Sequence, residues 1–138
     1  MNIIRPGLAL VLLATAAACG TPSARAPAPA SYSAEVIAAE SERLNAWFEQ
    51  KFNEAVARDP MRQTYLGIKD RYGEWTDASD AFRQAELEIE RRNLAEMKAS
   101  FDFDKLDAQT KLSWRLAEYE LERAEAAFPF RSHDYTFN

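Results

Sequence analysis

The chain has 138 residues, of which 47% are hydrophobic, and this supplies enough apolar side chains for a single core. Its 17 basic residues are outnumbered by 22 acidic ones, and without a long basic block this balance argues against a nucleic-acid partner. One cysteine and one histidine exclude an internal disulfide framework and a structural zinc site.

The N-terminus resembles the export signal of a lipoprotein. Leu8–Ala18 is an apolar run that spans only about half of a membrane, so it fits a signal peptide over residues 1–18. Small residues then precede Cys19, as in the lipobox of bacterial lipoproteins, and the resemblance implies that this cysteine is lipidated. The alternative is an ordinary cleaved signal with an incidental cysteine. Gly20 stands where aspartate would retain a lipoprotein in the inner membrane, which favours the outer membrane, facing the periplasm.

A linker is predicted over residues 19–33. The sequence TPSARAPAPASYS, from Thr21 to Ser33, combines prolines with small alanines and favours extended polyproline II structure. The remaining chain, residues 34–138, shows no strand alternation and no internal repeat, and it is predicted to be a helical domain.

The first helix is predicted over Ala34–Arg58. Its apolar residues recur every four positions, which is a helical period: Leu44, Phe48, Phe52 and Val56. Ser33 is the predicted N-cap, and Pro60 ends or kinks the helix, because a residue before proline avoids the α conformation. A short helix over Met61–Leu66, closed by Gly67, is predicted next.

A loop and a further helix follow. The loop, Ile68–Ala78, is rich in turn-forming residues, and Tyr72 and Trp75 are expected to anchor it. The helix is predicted over Ser79–Ala99, with Asp77 or Ser79 as its N-cap. Its predicted inner side consists of Phe82, Ile89, Leu94 and Met97. Its charged face is expected to be mostly solvated and consists of Glu86, Glu88, Glu90, Arg91 and Arg92.

The last helix, predicted from its cap Asp107 to Phe128, carries two apolar stripes. One stripe consists of Leu112, Leu116 and Tyr119, and the other of Trp114, Ala117, Leu121, Ala124 and Phe128. Because three helices cover only one side of this helix, something else is expected to cover the other. The predicted fold class is all-α: an antiparallel helical bundle that forms the N-terminal layer of a larger, mainly helical domain.

The residues themselves predict no catalytic constellation. His133 beside Asp134 is the single histidine–carboxylate pair, and because one histidine cannot build a catalytic zinc site, a structural role is favoured. The spacing of Asp102, Asp104 and Asp107 is similar to that of a calcium-binding loop. The glycine and the glutamate that such a loop requires are absent, so a solvated connector is favoured.

Two other groups of polar residues are also interpreted as structural. Three glutamates of the last helix are expected to pair with neighbouring arginines: Glu118, Glu120 and Glu122. Three serines have no base positioned near them in the sequence: Ser41, Ser79 and Ser132. No catalytic, cofactor-binding or metal-ligating residue is therefore predicted, and Cys19 is the one predicted modification site.

Most of the helical part resembles the N-terminal region of a bacterial family, the domain of unknown function 885. The most specific pieces are DPMRQTYLGIKDRYGEW, TKLSWRLAEYELERA and FRSHDYTFN, within a resemblance that extends from about Ser41 to Asn138. Many members resemble lipoproteins, and full-length members are similar to mainly helical zinc metallopeptidases. Their zinc motif, a His-Glu helix with a following Gly-His-His, has no match here, so the resemblance carries no metal or catalytic residue into this chain.

Two functions follow as alternatives. The first is the N-terminal segment of a lipid-anchored envelope protein whose helices wall or cover a peptide cleft built by other sequence. Zinc and a peptide substrate then belong to a full-length form, and the partners of this chain are the membrane and the remaining part of its own domain. The second is a complete small envelope lipoprotein that acts as a non-enzymatic scaffold or binding module. Neither involves nucleic acid or a cofactor held by this chain.

Overall fold

The computed structural model describes residues 31–133, and this range forms four α-helices. They are α1 (Ala34–Arg58), α2 (Pro60–Tyr65), α3 (Asp80–Ser100) and α4 (Ala108–Ala127). Short 3₁₀ turns follow α3 and α4, at Phe103–Lys105 and Phe128–Phe130. No strand occurs within the described range, so the all-α prediction is confirmed. The predicted signal, Cys19 and most of the linker lie outside the described residues.

Each long helix begins after a capping side chain that accepts a hydrogen bond from the amide three residues on. The caps are Ser33, Ser79 and Asp107, at 3.4, 3.1 and 2.7 Å. Asp59 ends α1 and also caps α2, in which Pro60 occupies the first position. The predicted caps are confirmed, and the observed helix ends lie within about one residue of the predicted ones.

The core lies where the first half of α1 meets the end of α3 and the start of α4. Leu44 and Met97 are completely buried, and Leu106 and Trp114 are nearly so. Aromatic side chains pack around them, among them the Phe103 ring, which meets Trp114 edge to face at 5.5 Å between centroids. This end of the molecule is therefore held together by apolar burial.

Contacts between the helices show their relative directions. Arg58 at the end of α1 pairs with Glu86 near the start of α3, whereas Glu40 near the start of α1 accepts a hydrogen bond from the Asp102 amide beyond the end of α3. α1 and α3 are therefore antiparallel. α3 and α4 are also antiparallel, because the earlier residue of α3 pairs with the later residue of α4: Arg91 with Glu125, and Lys98 with Glu118.

The two apolar stripes of α4 lie in different environments. Trp114 is buried, and the other members of its stripe are partly buried against the bundle. Leu112, Leu116 and Tyr119, here termed the outer stripe, are 59%, 53% and 53% exposed. The described helices thus cover one stripe only, as expected, while the expectation that something else covers the outer stripe stays a prediction.

The segment between α2 and α3 differs from its prediction. Tyr72 and Trp75 do not anchor the loop, because their side chains are 53% and 83% exposed. Hydrogen bonds hold the loop instead: Arg71 donates to the Ala57 carbonyl at 3.1 Å, and the Thr76 hydroxyl donates to Asp59.

Residues 31–133 contain no helix with the length and apolar character needed to cross a membrane.

Candidate functional site

A groove of about 220 Å³, here termed the core groove, opens between α1, α3 and α4. Its walls are apolar toward the core and polar toward the solvent. The apolar lining comes mainly from Trp47, Phe48, Leu94, Met97 and Leu121. The polar lining comes from Lys51, Glu90, Asn93 and Glu120. A groove with this division suits a ligand or partner side chain that has both an apolar and a polar part.

One side of the core groove is closed by a network around Glu96. The indole N–H of Trp47 donates to the Glu96 carboxylate at 2.9 Å, and the Lys51 ammonium lies 3.1 Å from the same carboxylate. Both contacts lower the pKa of Glu96 below its ordinary value, and the hydrogen bond from Trp47 has the larger effect. The cation and the carboxylate thus neutralise each other, and Trp47 is fixed in place as a wall of the groove.

The opposite side of the core groove holds an unusual carboxyl group. The pKa of Glu90 is raised because surrounding protein displaces water from its carboxylate, and because Glu86 and Glu120 add negative charge nearby. Arg62 opposes this with a weaker attraction. A carboxyl group that keeps its proton to higher pH is typical of functional clefts, and it is found in structural clusters as well.

Two of the charged side chains that line the core groove are engaged in ion pairs. Lys51 is paired with Glu96 at 3.1 Å, and Glu120 lies 3.6 Å from Arg123. A nucleophile with an adjacent base, which covalent catalysis needs, is not among the side chains that line this groove. The charged face of α3 is mostly solvated, as predicted, because Glu88, Glu90 and Arg92 are exposed. Glu90 also lines the core groove, and its spacing of four residues from Leu94 puts both on one helix face.

A second groove, here termed the aromatic groove, lies at the other end of α1, beside α2 and its loop. It has a volume of about 260 Å³ and is lined by Met61, Thr64, Tyr65, Tyr72, Gly73, Glu74 and Trp75. Tyr65 and Trp75 are each 83% exposed. The helical pattern gave no sign of this groove, because its rings come from a helix end and an irregular loop.

The histidine and aspartates singled out from the sequence do not form a site. His133 is exposed, and its ring packs edge to face against Phe130 at 5.9 Å, while Asp134 lies outside the described residues. Asp102 and Asp107 accept amide hydrogen bonds from Asp104 and Thr110 at 3.1 and 2.7 Å, so both are caps.

The glutamates and serines also take structural roles. Glu118 pairs with Lys98 of α3 at 2.8 Å rather than with an arginine, Glu120 pairs with Arg123, and Glu122 is exposed. Ser41 is buried and accepts a hydrogen bond from the Asp107 amide at 2.9 Å, which ties α1 to α4. Ser79 caps α3, and Ser132 is exposed.

Nothing in residues 31–133 is arranged as a metal site of three or more His, Cys, Asp or Glu side chains. These residues therefore do not fit the zinc that the resemblance implies for full-length members of the family.

The described chain is thus an all-α unit with two open grooves and with its titratable residues engaged mainly in caps and ion pairs. The sequence profile of the family described as bacterial protein of unknown function (DUF885) matches residues 60–137, more than half of the chain. The protein therefore belongs to this family. The match starts at α2, so α1 lies outside it, although the resemblance described above starts at Ser41. No curated protein and no solved structure matches the chain.

Proposed function

We propose that this chain is the lipid-anchored helical layer of an envelope protein, in which it covers a mainly helical, peptidase-like domain and performs no catalysis itself. The outer stripe of α4 is the observation that carries the proposal. Burying one large apolar side chain contributes about 1.5–3 kcal/mol, so three half-exposed ones forgo much of a net stability of about 5–15 kcal/mol. A covering partner would recover this free energy.

The family and the resemblance support the rest of the proposal. The resemblance implies that full-length members are similar to zinc metallopeptidases, and the described residues of this chain do not fit a zinc site. Zinc and the peptide would therefore be bound by other sequence, while α1, α3 and α4 contribute a wall. The core groove, with its apolar lining and its protonatable Glu90, is the part of that wall best suited to contact a peptide side chain.

The covering role is tested by making the outer stripe polar. Without a covering domain, the chain lacking its signal is expected to self-associate or to bind an apolar dye. Leu112→Gln combined with Leu116→Gln should abolish most of this, with unchanged helical circular dichroism. Arg115→Gln, on the same helix, is the matched control. A wild-type monomer that unfolds cooperatively and binds no dye would contradict the covering role and favour the alternative.

The anchor is tested separately by fractionation. Cys19→Ser removes the thiol that lipidation requires, so the variant should leave the membrane fraction, whereas wild type remains in it. Equal solubility of the two proteins would contradict lipid anchoring without affecting the test of the outer stripe.

The second candidate is a small envelope lipoprotein that acts as a scaffold or binding module. One observation favours it: the core of Leu44, Met97, Leu106 and Trp114 is closed by residues of this chain alone. A bundle with such a core can present the aromatic groove to a partner without any further domain.

A further inference from the structure

The aromatic groove has rings that the fold holds outward. Tyr65 and Trp75 are 83% exposed and Tyr72 is 53% exposed, and all three line the same groove with Gly73 between two of them. Leu66 and Ile68, in the same segment, are 51% and 37% exposed. Such a concentration of large apolar side chains in water marks an interaction surface.

Hydrogen bonds fix the backbone that presents these rings. The buried Gln63 amide donates to the Val56 carbonyl at 3.0 Å and joins α2 to α1. Arg71 donates to the Ala57 carbonyl and pairs with Glu74 at 2.6 Å. The rings are therefore exposed by a defined scaffold, and ordering them on a partner costs little further backbone entropy.

The composition of this surface fits a lipid head-group region. Tyrosine and tryptophan have an apolar body and a polar tip, and both are enriched where membranes meet water. The charges of the segment from 60 to 78 balance, with three cations (Arg62, Lys69 and Arg71) against three anions (Asp70, Glu74 and Asp77). The segment itself therefore adds no net repulsion from an anionic leaflet, although the whole chain has a net charge of −5.

The tether is long enough to let this surface reach the membrane. Cys19 and Ser33 are 14 residues apart, which an extended polyproline II chain spans in about 43 Å. α1 has 25 residues and is about 38 Å long, with the tether at its start and the aromatic groove near its end. A molecule standing with its groove on the bilayer therefore keeps Ser33 within reach of a lipidated Cys19.

We propose that the aromatic groove is a membrane-contact surface, in which Tyr65, Tyr72 and Trp75 seat in the lipid head-group region beside the anchor. The inference rests on the proposed lipid anchor for its tether arithmetic, but the affinity of the groove for lipid is a separate property. Contact at this end would orient the molecule and leave the core groove and the outer stripe, which consist of other residues, outside the contact.

The experiment uses the mature full chain with Cys19→Ser, so that no acyl chain contributes, and vesicles of phosphatidylethanolamine and phosphatidylglycerol. The chain should sediment with the vesicles, and its tryptophan emission should shift to the blue and be quenched by brominated lipid, because Trp75 moves out of water. Tyr65→Ser combined with Trp75→Ser should weaken co-sedimentation by about tenfold or more. Leu112→Ser combined with Tyr119→Ser removes two outer-stripe residues, which are 59% and 53% exposed, and is the control for the loss of exposed apolar side chains.

Three outcomes would overturn the inference. They are no binding of the Cys19→Ser chain to vesicles, an equal loss of binding in both double variants, and ring-dependent self-association or protein capture without lipid binding. If wild type fractionates with membranes but the Cys19→Ser chain does not bind vesicles, the result supports the lipid anchor and contradicts the membrane-contact surface. If the Cys19→Ser chain binds vesicles but wild type is not lipidated, the result supports the membrane-contact surface and contradicts the lipid anchor.

Discussion

The two ends of α1 are held in place by different forces. At the first end, Leu44 is completely buried against Met97 and Trp114, and aromatic rings close the core around them. At the second end, α2 and its loop are tied down by polar contacts, and the large side chains of Tyr65 and Trp75 point into water. A cluster of buried aromatic and aliphatic side chains thus stabilises the first end. The second end combines hydrogen bonds with a smaller set of buried apolar side chains, among them Val56 and Leu87, and keeps its rings in water.

This difference shows why exposure matters more than residue type. Both ends are rich in aromatic and aliphatic residues, so residue type alone does not distinguish them. A buried ring contributes through the area that it removes from water, while a ring that is 83% exposed contributes little to folding. The rings of the second end therefore cost solubility without adding stability, which is typical of a binding surface.

The largest expected effect is on the buried end. Leu44→Ala removes a completely buried side chain and should lower the free energy of unfolding by about 2–5 kcal/mol, because it leaves a cavity. Tyr65→Ala, at a site that is 83% exposed, should change it by less than about 0.5 kcal/mol. Urea unfolding followed by circular dichroism measures both. Equal losses in the two variants would show that the second end is also a core.

The next largest expected effect is on the second end of α1, where the contribution of Asp59 to stability depends on pH. Burial tends to raise the pKa of Asp59, but hydrogen bonds from the Thr76 hydroxyl and the Arg62 amide outweigh it, so the net pKa is lowered. A lowered carboxyl pKa adds stability above the unfolded value of about 3.9, and this stability is lost as the pH falls through the folded value.

Asn caps a helix as well as Asp but accepts weaker hydrogen bonds because it is neutral, so Asp59→Asn should destabilise the protein by about 1 kcal/mol at pH 7, and the difference from wild type should shrink in acid. Thermal unfolding across a pH series measures it. Asp70→Asn, at an exposed position of the same loop, is the matched control. A difference that persists unchanged into acid would mean that the asparagine disturbs packing rather than the charge.

The sequence predicts the helices well because each one has its own local signals. Ser33, Ser79 and Asp107 are caps by residue type, and Pro60 interrupts the chain between α1 and α2. The two stripes of α4 also follow from periodicity alone, and this made the exposed outer stripe predictable.

The grooves could not be predicted in the same way, because they depend on how helices and loops meet. Tyr72 and Trp75 occur in a loop without a period, so hydropathy suggests burial, whereas hydrogen bonds from Arg71 and Thr76 decide where the loop lies. Glu90 belongs to a charged run, and its position opposite Glu120 arises from the packing of α3 on α4.

The smallest expected effect distinguishes the core groove from an ordinary solvated face. A raised carboxyl pKa means that the folded state binds more protons than the unfolded one between the unfolded value of about 4.3 and the raised value. Stability contributed by Glu90 is therefore present below the unfolded value and is lost as the pH rises through the folded one. At pH 7 the charged carboxylate opposes folding.

Glu90→Gln should accordingly stabilise the protein at pH 7, by less than about 1 kcal/mol because the residue keeps contact with solvent, and the gain should vanish near pH 4. Thermal unfolding in matched buffers measures the gain, with Glu122→Gln on the exposed side of α4 as the control. A loss of stability in Glu90→Gln would mean that the carboxylate makes a contact that folding needs. A gain limited to Glu90 would instead show that the groove keeps an unfavourable charge in place at pH 7.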